Sequence, residues 1–236
     1  MLNGLQLVFG ANGGIGRAVC AQTPPECLVA IDLAGSFVGT SNDPARSIEC
    51  DIADSDDVKR TIDTASKYGP ITSVVVAAGV VDEAPIHELT VEQWKRVLAV
   101  SLDGTFYVMR NVLPHLVKQQ RSSIVAFSTG WAAQGYPLGA HYAAAKSGVE
   151  ALVRSAAKGY AADGVRVNAV APGPIDTPML RNLPDSDQRI AAASARIPLG
   201  RIGTAVEVAD VVSWLTSDHS SYVTGQVIQV SGGLVV

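Results

Sequence analysis

Short runs of β-branched residues alternate with longer helical patterns along most of the chain. These runs are too apolar to keep one face in water, which is typical of strands buried on both sides of a parallel sheet. The alternation predicts one α/β domain, residues 1–236, with a doubly wound parallel sheet covered by helices on both faces. The seven predicted strands are Leu5–Phe9, Cys27–Ile31, Ser47–Cys50, Ser73–Ala77, Ile124–Ser128, Arg166–Val170 and Gln226–Val230.

Capping residues predict where two of the helices begin. Thr90 and Gln93 have the spacing of a capping box, in which each side chain satisfies the backbone N–H of the other residue. Asp54 precedes a second helix, and Gly69 followed by Pro70 stops it.

The charge and the cysteines argue against several classes of function. The chain has 22 acidic and 18 basic residues, a net charge of −4, and no basic cluster, so no nucleic-acid partner is expected. The 3 cysteines are odd in number and lack metal-ligand spacing, which predicts a reducing compartment and no metal site. The apolar run Ile71–Val81 is shorter than the roughly 20 residues that span a bilayer. Because the first residues also lack the pattern of a signal peptide, we expect a soluble, cytoplasmic protein without a membrane partner.

A glycine-rich turn follows the first predicted strand. Gly10, Gly14 and Gly16 are arranged as Gly-x-x-x-Gly-x-Gly at the start of a helix. Glycine permits a tight turn and lets backbone N–H groups approach a pyrophosphate. The turn therefore predicts a Rossmann-type dinucleotide site that includes Asn12 and Ile15, with a purely structural turn as the alternative.

Asp32 ends the second predicted strand, where a carboxylate can bind both hydroxyls of an adenosine ribose. The same carboxylate would repel a 2′-phosphate, so NAD is favoured over NADP. The alternative is an aspartate in a solvated turn. After the third strand, Asp51 and Ile52 have the right chemistry to bind an adenine amine and cover its ring.

Tyr142 and Lys146 are four residues apart and therefore share one face of a predicted helix. A free tyrosine titrates near pH 10 and is a poor base at neutrality. The ammonium of Lys146, together with an oxidised nicotinamide, would stabilise the phenolate and lower the pKa of Tyr142. The pair is a candidate for acid/base chemistry, although such spacing on its own is common on helices.

Taken together, the glycine turn, Asp32 and the Tyr-x-x-x-Lys pair resemble the short-chain dehydrogenase/reductase family, and the resemblance covers essentially the whole chain. It implies an oxidoreductase in which Tyr142 is the acid/base and Lys146 binds the cofactor ribose. The segments that support it are Ile124–Gly130, Trp94, Leu102–Phe106, Val167–Val170, Pro172–Gly173, Val223–Gln226 and Gly232–Gly233.

The resemblance also assigns roles to residues outside these motifs. Thr129 stands where the family usually has a serine that binds the substrate oxygen, and Ser128, one place earlier, is the alternative. The segment after the sixth strand would hold the nicotinamide through the backbone of Ile175 and the hydroxyl of Thr177. The remaining cofactor contacts implied are Ala78, Gly79, Pro172 and Gly173.

The chain departs from the family pattern at several positions. Ser101 replaces an asparagine that anchors a water chain behind the lysine, Val76 and Ala77 replace two asparagines, and Phe9 replaces a threonine. These departures predict weaker turnover. They keep open a rival function, a catalytically weak NAD-binding sensor or scaffold.

Residues from about 178 to 197 are mixed in polarity and mobile in character, which suits a substrate lid. The predicted substrate pocket is mostly apolar, with a polar handle at Gln134 or His141, and favours an apolar or cyclic secondary alcohol. Its residues are Trp131, Gln134, Tyr136, His141, Met179 and Leu180.

The leading hypothesis is an NAD-dependent enzyme that interconverts a secondary alcohol and its ketone, and the alternative is a 3-oxoacyl thioester reductase that uses NADPH. Family members generally form tetramers or dimers. Residues 232–236 are apolar, so we expect a neighbouring subunit to cover them in a homotetramer, or in a dimer. Trp214 and Val211 share a helix face and are expected in the core.

Overall fold

The apolar runs of the sequence become the strands of one parallel sheet in the computed structural model, which describes residues 4–37 and 46–235. The order of its seven strands is β3-β2-β1-β4-β5-β6-β9, so the prediction of a doubly wound, Rossmann-type sheet is confirmed. The strands are β1 Leu5–Phe9, β2 Leu28–Asp32, β3 Ser47–Glu49, β4 Ile71–Val76, β5 Ser122–Phe127, β6 Val165–Pro172, β7 Ile175–Asp176, β8 Gly203–Thr204 and β9 Val227–Val230.

The second, two-stranded sheet pairs β7 with β8 and was not predicted. Each of its strands has only two residues, too few to produce a period-2 pattern in the sequence.

Helices connect the strands and cover both faces of the sheet. The capping box at Thr90 is confirmed, with Gln93 N donating to Thr90 Oγ1 at 3.1 Å and Thr90 N donating to Gln93 Oε1 at 3.0 Å. Asp54 caps its helix as predicted by accepting from two backbone N–H groups. The helices are α1 Gly14–Gln22, α2 Ser55–Ala65, α3 Val91–Leu98, α4 Gly104–Leu116, α5 Trp131–Gln134, α6 Ala140–Tyr160, α7 Pro178–Arg181, α8 Ser186–Arg196 and α9 Ala205–Thr216.

The hydrophobic core has two layers, one on each face of the sheet. Leu7 and Phe9 of β1 belong to the layer under α2, α4 and α6, whereas Val8 between them belongs to the layer under α1 and α9. Because successive side chains of a strand point to opposite faces, burial on both sides requires a strand that is apolar throughout. This explains why the strands lack a polar face.

Residues 178–197, the predicted substrate lid, contain two helices, α7 and α8. Two expectations need correction. Trp214 is 40% exposed and not part of the core. Val235 is only 8% exposed within its own chain, so its burial needs no neighbouring subunit; Val236 lies outside the described residues.

In the described part of the chain, none of the helices combines the length and the apolar character that crossing a bilayer requires.

Candidate active site

The parallel sheet brings the carboxyl ends of its strands to one edge, and the predicted site residues follow these ends. Gly10 N and Ala11 N both donate to Ile31 O, at 2.9 and 3.1 Å, which fixes the glycine turn beside the end of β2. Ala77 N donates to Phe9 O at 2.9 Å and fixes the end of β4 on the other side.

The glycine turn is too tight for side chains at two of its positions. Gly10 has φ +81°, and a Cβ there would lie 2.5 Å from Ala78 N. A Cβ on Gly16 would lie 1.9 Å from Gly10 O. The first turn of α1 contains no acidic residue, and its N-cap, Gly13, provides no side-chain cap. The backbone N–H groups at the start of α1, from Gly14 to Gly16, have no acceptor within the helix and can bind an anion, so this helix start fits a pyrophosphate.

The carboxylate of Asp32 is held at the edge of this turn. Its Oδ2 accepts from Asn12 N at 2.7 Å, and its Oδ1 accepts from Leu33 N at 2.8 Å. Oδ1 also accepts from Ser36 Oγ at 3.4 Å, whereas Oδ2 keeps a lone pair for a further donor. Arg17 Nε donates to Asn12 Oδ1 at 3.1 Å. Because Asn12 also binds Asp32, only this residue separates the Arg17 guanidinium from the Asp32 carboxylate, a proximity that the sequence did not reveal.

Asp51 and Ile52 lie beyond β3 in different environments. Asp51 is exposed, and its Oδ1 accepts from Ala53 N at 2.9 Å. Ile52 is only 6% exposed and packs so closely on α4 that a Cβ on Gly104 would lie 2.9 Å from Ile52 Cγ1. Little of its side chain is left to cover an adenine ring.

Tyr142 and Lys146 lie on one face of α6, and Lys146 Nζ is 5.7 Å from the centroid of the Tyr142 ring. Lys146 is 3% exposed, and burial lowers the pKa of its ammonium to about 8. Burial also raises the pKa of the Tyr142 phenol to about 12. In the protein without cofactor, the effect of burial on the Tyr142 pKa is thus larger than the effect of the Lys146 ammonium. A lowered Tyr142 pKa, as expected from the sequence, therefore also needs the positive charge of the nicotinamide.

Ser101 lies next to this pair in a π-helical segment, Ala99–Asp103, that joins α3 to α4. Such segments are frequent at functional sites. A Cβ on Gly79 would lie 3.4 Å from Lys146 Nζ and 3.6 Å from Ser101 Oγ, so the fold brings all three together. Ser101 is fully buried, and its Oγ lies 3.4 Å from both the N and the O of Val80.

Ser128 and Thr129, the two candidates for binding the substrate oxygen, point in different directions. Ser128 Oγ donates to Glu150 Oε1 at 2.8 Å, so its proton is committed to a carboxylate that the sequence analysis did not consider. Thr129 Oγ1 accepts from Trp131 N at 3.4 Å and keeps its own proton for another acceptor. The contacts favour Thr129 over Ser128.

The segment after β6 crosses the glycine turn. A Cβ on Gly14 would lie 2.7 Å from Thr177 Cβ, and Thr177 Oγ1 donates to Ile175 O at 3.3 Å. Pro172 O accepts from Gly130 N at 3.3 Å, and Gly173 N donates to Val230 O at 2.9 Å. The predicted nicotinamide and pyrophosphate segments are therefore adjacent.

Comparison with known proteins identifies the family. The family model described as enoyl-(acyl carrier protein) reductase matches residues 32–235. A 3-oxoacyl-acyl-carrier-protein reductase from Thermotoga maritima is 38% identical over 240 residues, covering 98% of this chain and 97% of that protein. The chain belongs to the short-chain dehydrogenase/reductase family.

Two further members of the family are similar along their whole length. The cis-4-hydroxycyclohexanecarboxylate dehydrogenase of Sinomonas cyclohexanicum is 38% identical over 239 residues, covering 96% of this chain and 94% of that protein. The ligand-free aldohexose dehydrogenase of Thermoplasma acidophilum superposes with a TM-score of 0.89 at 32% identity, covering 98% of this chain and 94% of that chain. The protein is thus an oxidoreductase of a family that uses a nicotinamide cofactor and acts on small molecules.

The substrate side of this dehydrogenase/reductase differs from prediction at His141. His141 is fully buried, and neither ring nitrogen has a hydrogen-bond partner among the described residues. Burial lowers the pKa of its imidazole, so the ring is neutral near pH 7. His141 therefore does not line the cleft. Gln134 is exposed and donates to Leu234 O at 3.4 Å, and it stays the other predicted polar group of the pocket.

Two of the predicted pocket residues line a shallow groove beside α6. Gln134 and Tyr136 line this groove together with Ala140 and Ala143 of α6. Trp131 stacks on Tyr136. In α7, which belongs to the predicted lid, Met179 is 46% exposed and Leu180 is half-buried.

Glu83 and Arg189, which no sequence motif marked, form an ion pair across 106 residues of sequence. Burial, and then a hydrogen bond to Glu83, raise the pKa of Tyr136. Among residues 4–37 and 46–235, no group of three or more His, Cys, Asp or Glu is placed to hold a metal ion.

Proposed function

We propose that this short-chain dehydrogenase/reductase interconverts secondary alcohols and ketones with NAD as the preferred cofactor. The observation that carries the proposal is the pair of the half-buried Tyr142 and the buried Lys146, which share one face of α6 beside Gly79 and Ser101. Burying an ammonium is costly, and an acid/base role in the presence of a bound cofactor accounts for its place beside a phenol.

In the proposed mechanism the Thr129 hydroxyl donates a hydrogen bond to the substrate oxygen and orients the alcohol. Tyr142, as the phenolate, accepts the hydroxyl proton while the C=O bond forms. Lys146 stabilises the phenolate and binds the ribose, and Ser101 supports Lys146 from behind. When bound, the oxidised nicotinamide supplies the acceptor for the hydride that leaves the substrate carbon.

The preference for NAD rests on Asp32. Asn12 N and Leu33 N hold its carboxylate where a ribose 2′-phosphate would have to lie. Asn12, Gly14, Ile15 and Gly16 form the proposed pyrophosphate turn, with Asp51 near the adenine. Arg17 is the feature that opposes this preference, because a guanidinium attracts phosphate.

The proposed substrate is apolar or cyclic, with α7 and α8 as the lid over it. The exposed Met179 and the Trp131–Tyr136 stack offer apolar surface at the groove. A relative at 38% identity is named for the dehydrogenation of cis-4-hydroxycyclohexanecarboxylate, a cyclic secondary alcohol that also carries a carboxylate. The cyclic alcohol is the part of that substrate that supports this proposal.

A 3-oxoacyl thioester reductase is the second candidate, because the Thermotoga maritima relative carries that name. Two arginines of the lid region argue against docking of an acidic carrier. Arg181 Nε binds Asp176 Oδ1 at 2.7 Å, and Arg189 Nη2 binds Glu83 Oε2 at 2.9 Å, so carboxylates of the chain itself already neutralise both. A sensor or scaffold that binds NAD without turnover is the third.

A panel of secondary alcohols with NAD and with NADP, followed by the absorbance of reduced nicotinamide, tests the proposal. We expect oxidation of cyclic alcohols with a kcat/KM ratio of NAD to NADP above about tenfold, and Asp32→Ala should reduce that ratio. Efficient reduction of 3-oxoacyl thioesters with NADPH would instead support the second candidate. Tight NAD binding without turnover of any substrate would support the third.

A further inference from the structure

A single carboxylate, that of Glu83, joins three separate segments at the rim of the groove. Glu83 lies in the connection that follows β4, and its Oε1 accepts from the hydroxyl of Tyr136, in the connection between α5 and α6. Arg189 of the lid helix α8 binds both carboxylate oxygens, Nη1 to Oε1 at 3.0 Å and Nη2 to Oε2 at 2.9 Å. Two-point contacts of this kind fix geometry as well as charge.

The position of Tyr136 is itself fixed by its surroundings. Its ring stacks on Trp131 with centroids 4.8 Å apart and planes 9° apart. On its other side a Cβ on Gly139 would lie 2.3 Å from Tyr136 Cδ1, so only glycine fits there. Ala84 N donates to Leu138 O at 2.8 Å, which ties the same two connections together through the backbone.

Burial makes the Glu83–Arg189 pair stronger than a surface ion pair. The Glu83 side chain is 14% exposed and that of Arg189 is 36% exposed, so solvent screens them incompletely. No residue of α8 is buried, so the helix is not held by core packing, and the contact with Glu83 joins its first half to the connection after β4.

The pair also determines which charge the groove tolerates. The guanidinium of Arg189 faces a carboxylate of its own chain, so it is already neutralised and has little attraction left for a substrate anion. A substrate carboxylate at this end of the groove would meet a neutral pair with no free cation, so the cost of removing it from water would not be offset.

We propose that Glu83 is a specificity-determining residue, which latches the lid helix α8 through Arg189 and Tyr136 and disfavours substrates that carry an anionic group. The proposed selectivity rests on the proposed function, since it assumes that the substrate enters this groove. The proposed attachment of α8 through Glu83 is independent of that function.

Binding and amide hydrogen exchange, rather than turnover, test both parts. The ligands are cyclohexanecarboxylate and the neutral cyclohexanol, titrated calorimetrically into the NAD-loaded protein. The variants are Glu83→Gln, which keeps the shape and an acceptor for Tyr136, Arg189→Gln, and the double variant. Asp82→Asn is the matched control, because the adjacent Asp82 binds a different arginine, Arg96, at 3.2 Å.

In Glu83→Gln the freed Arg189 should bind cyclohexanecarboxylate about tenfold more tightly than in the parent protein, with cyclohexanol changed less than about twofold. The double variant should lose this gain, and Asp82→Asn should not show it. Exchange of the α8 amides in the free protein should accelerate about tenfold in Glu83→Gln and in Arg189→Gln but not in Asp82→Asn.

The specificity claim is wrong if Glu83→Gln shows no gain for the carboxylate, including no measurable binding, or if the gain survives the loss of Arg189. Unchanged exchange of α8 in both single variants would overturn the latch. Absence of alcohol turnover in the parent protein contradicts the proposed function alone, because neither readout above depends on catalysis.

Discussion

At the scale of single residues, burial of the Lys146 ammonium lowers the free energy of unfolding. The pKa of Lys146 is about 8 in the folded chain against 10.5 for a free lysine, so below pH 8 the folded protein holds the charge against desolvation. Between pH 8 and 10.5 the folded lysine has released its proton while the unfolded one keeps it. Unfolding then takes up a proton, and stability rises with pH across this window.

Replacing Lys146 by methionine should therefore stabilise the free protein at pH 7, by the order of 3 kcal/mol, while abolishing activity. The advantage should shrink as the pH rises from 8 towards 10.5. Urea unfolding of the parent protein and Lys146→Met at pH 7 and pH 10 measures the difference. A methionine variant that is less stable at pH 7 would mean that the ammonium is well compensated in the free protein.

Thr129 and Ser128 provide a matched pair of residues for testing the substrate contact. Thr129→Ala should lower kcat by about 100-fold, and Thr129→Ser, which keeps the donor, should restore it to within about threefold. Ser128→Ala should leave kcat within about threefold but cost about 1 kcal/mol in urea unfolding, because Glu150 loses a donor. The opposite result, with activity lost only in Ser128→Ala, would exchange their roles.

How far the site was predictable also depends on the single residue. The spacing of Tyr142 and Lys146 is local, so a helical period places both on one face before any fold is known. The Glu83–Arg189 pair depends on a contact across 106 residues of sequence, and no local pattern links its members. His141 has the right chemistry for a polar handle, but its burial follows from tertiary packing that its sequence position does not reveal.

At the scale of elements, two glycines within helices show whether a glycine is required by lack of space or only lowers helix propensity. Gly16 in α1 has no room for a Cβ, which would lie 1.9 Å from Gly10 O, whereas a Cβ on Gly159 in α6 would meet nothing within 4 Å. Propensity alone predicts that alanine stabilises both helices.

We expect Gly16→Ala to cost at least about 2 kcal/mol and to weaken NAD binding, because the turn must open. Gly159→Ala should be neutral or stabilising, by up to about 1 kcal/mol. Urea unfolding and fluorescence titration of NAD compare the two. Equal effects of the two substitutions would mean that the close contact within the glycine turn does not constrain the fold.

The elements that could be predicted are those with a strong local signal. All seven strands of the main sheet were predicted, and for the inner strands the reason is that burial on both faces makes a strand apolar throughout. The edge strand β3 is different, because its Ser47 and Glu49 are exposed. The helices of residues 178–197 were not predicted, because α8 has no buried residue and Ile190 is its only large apolar side chain. The π-helical turn at Ser101 joins α3 to α4, and its five residues leave no pattern in the sequence.

At the scale of the whole molecule, apolar side chains remain exposed near one end of the sheet. Trp214 and Val206 of α9 are 40% and 56% exposed, and Tyr222 is fully exposed. The strand β9 is last in the sheet order, so its outer edge pairs with no other described strand. Exposed apolar groups beside an open edge suit an interface between copies of the chain.

We propose a homotetramer, with this end of the sheet in one of its interfaces and a dimer as the alternative. Light scattering should give a mass about four times the 24.5 kDa of one chain, and Trp214→Glu should reduce it. The same substitution at the exposed Tyr68, on the opposite side of the sheet order, is the control. A monomer at micromolar concentration would contradict the proposal.

The central claim is that Tyr142 exchanges the substrate proton, and a single-turnover measurement with Tyr142→Phe tests it most directly. Cyclohexanol is mixed with NAD-saturated protein, and the formation of reduced nicotinamide is followed in the parent protein and the variant. The account predicts a rate lower by about 1000-fold in Tyr142→Phe, with NAD affinity unchanged within about twofold. A variant that binds NAD normally and turns over at the parent rate would contradict it.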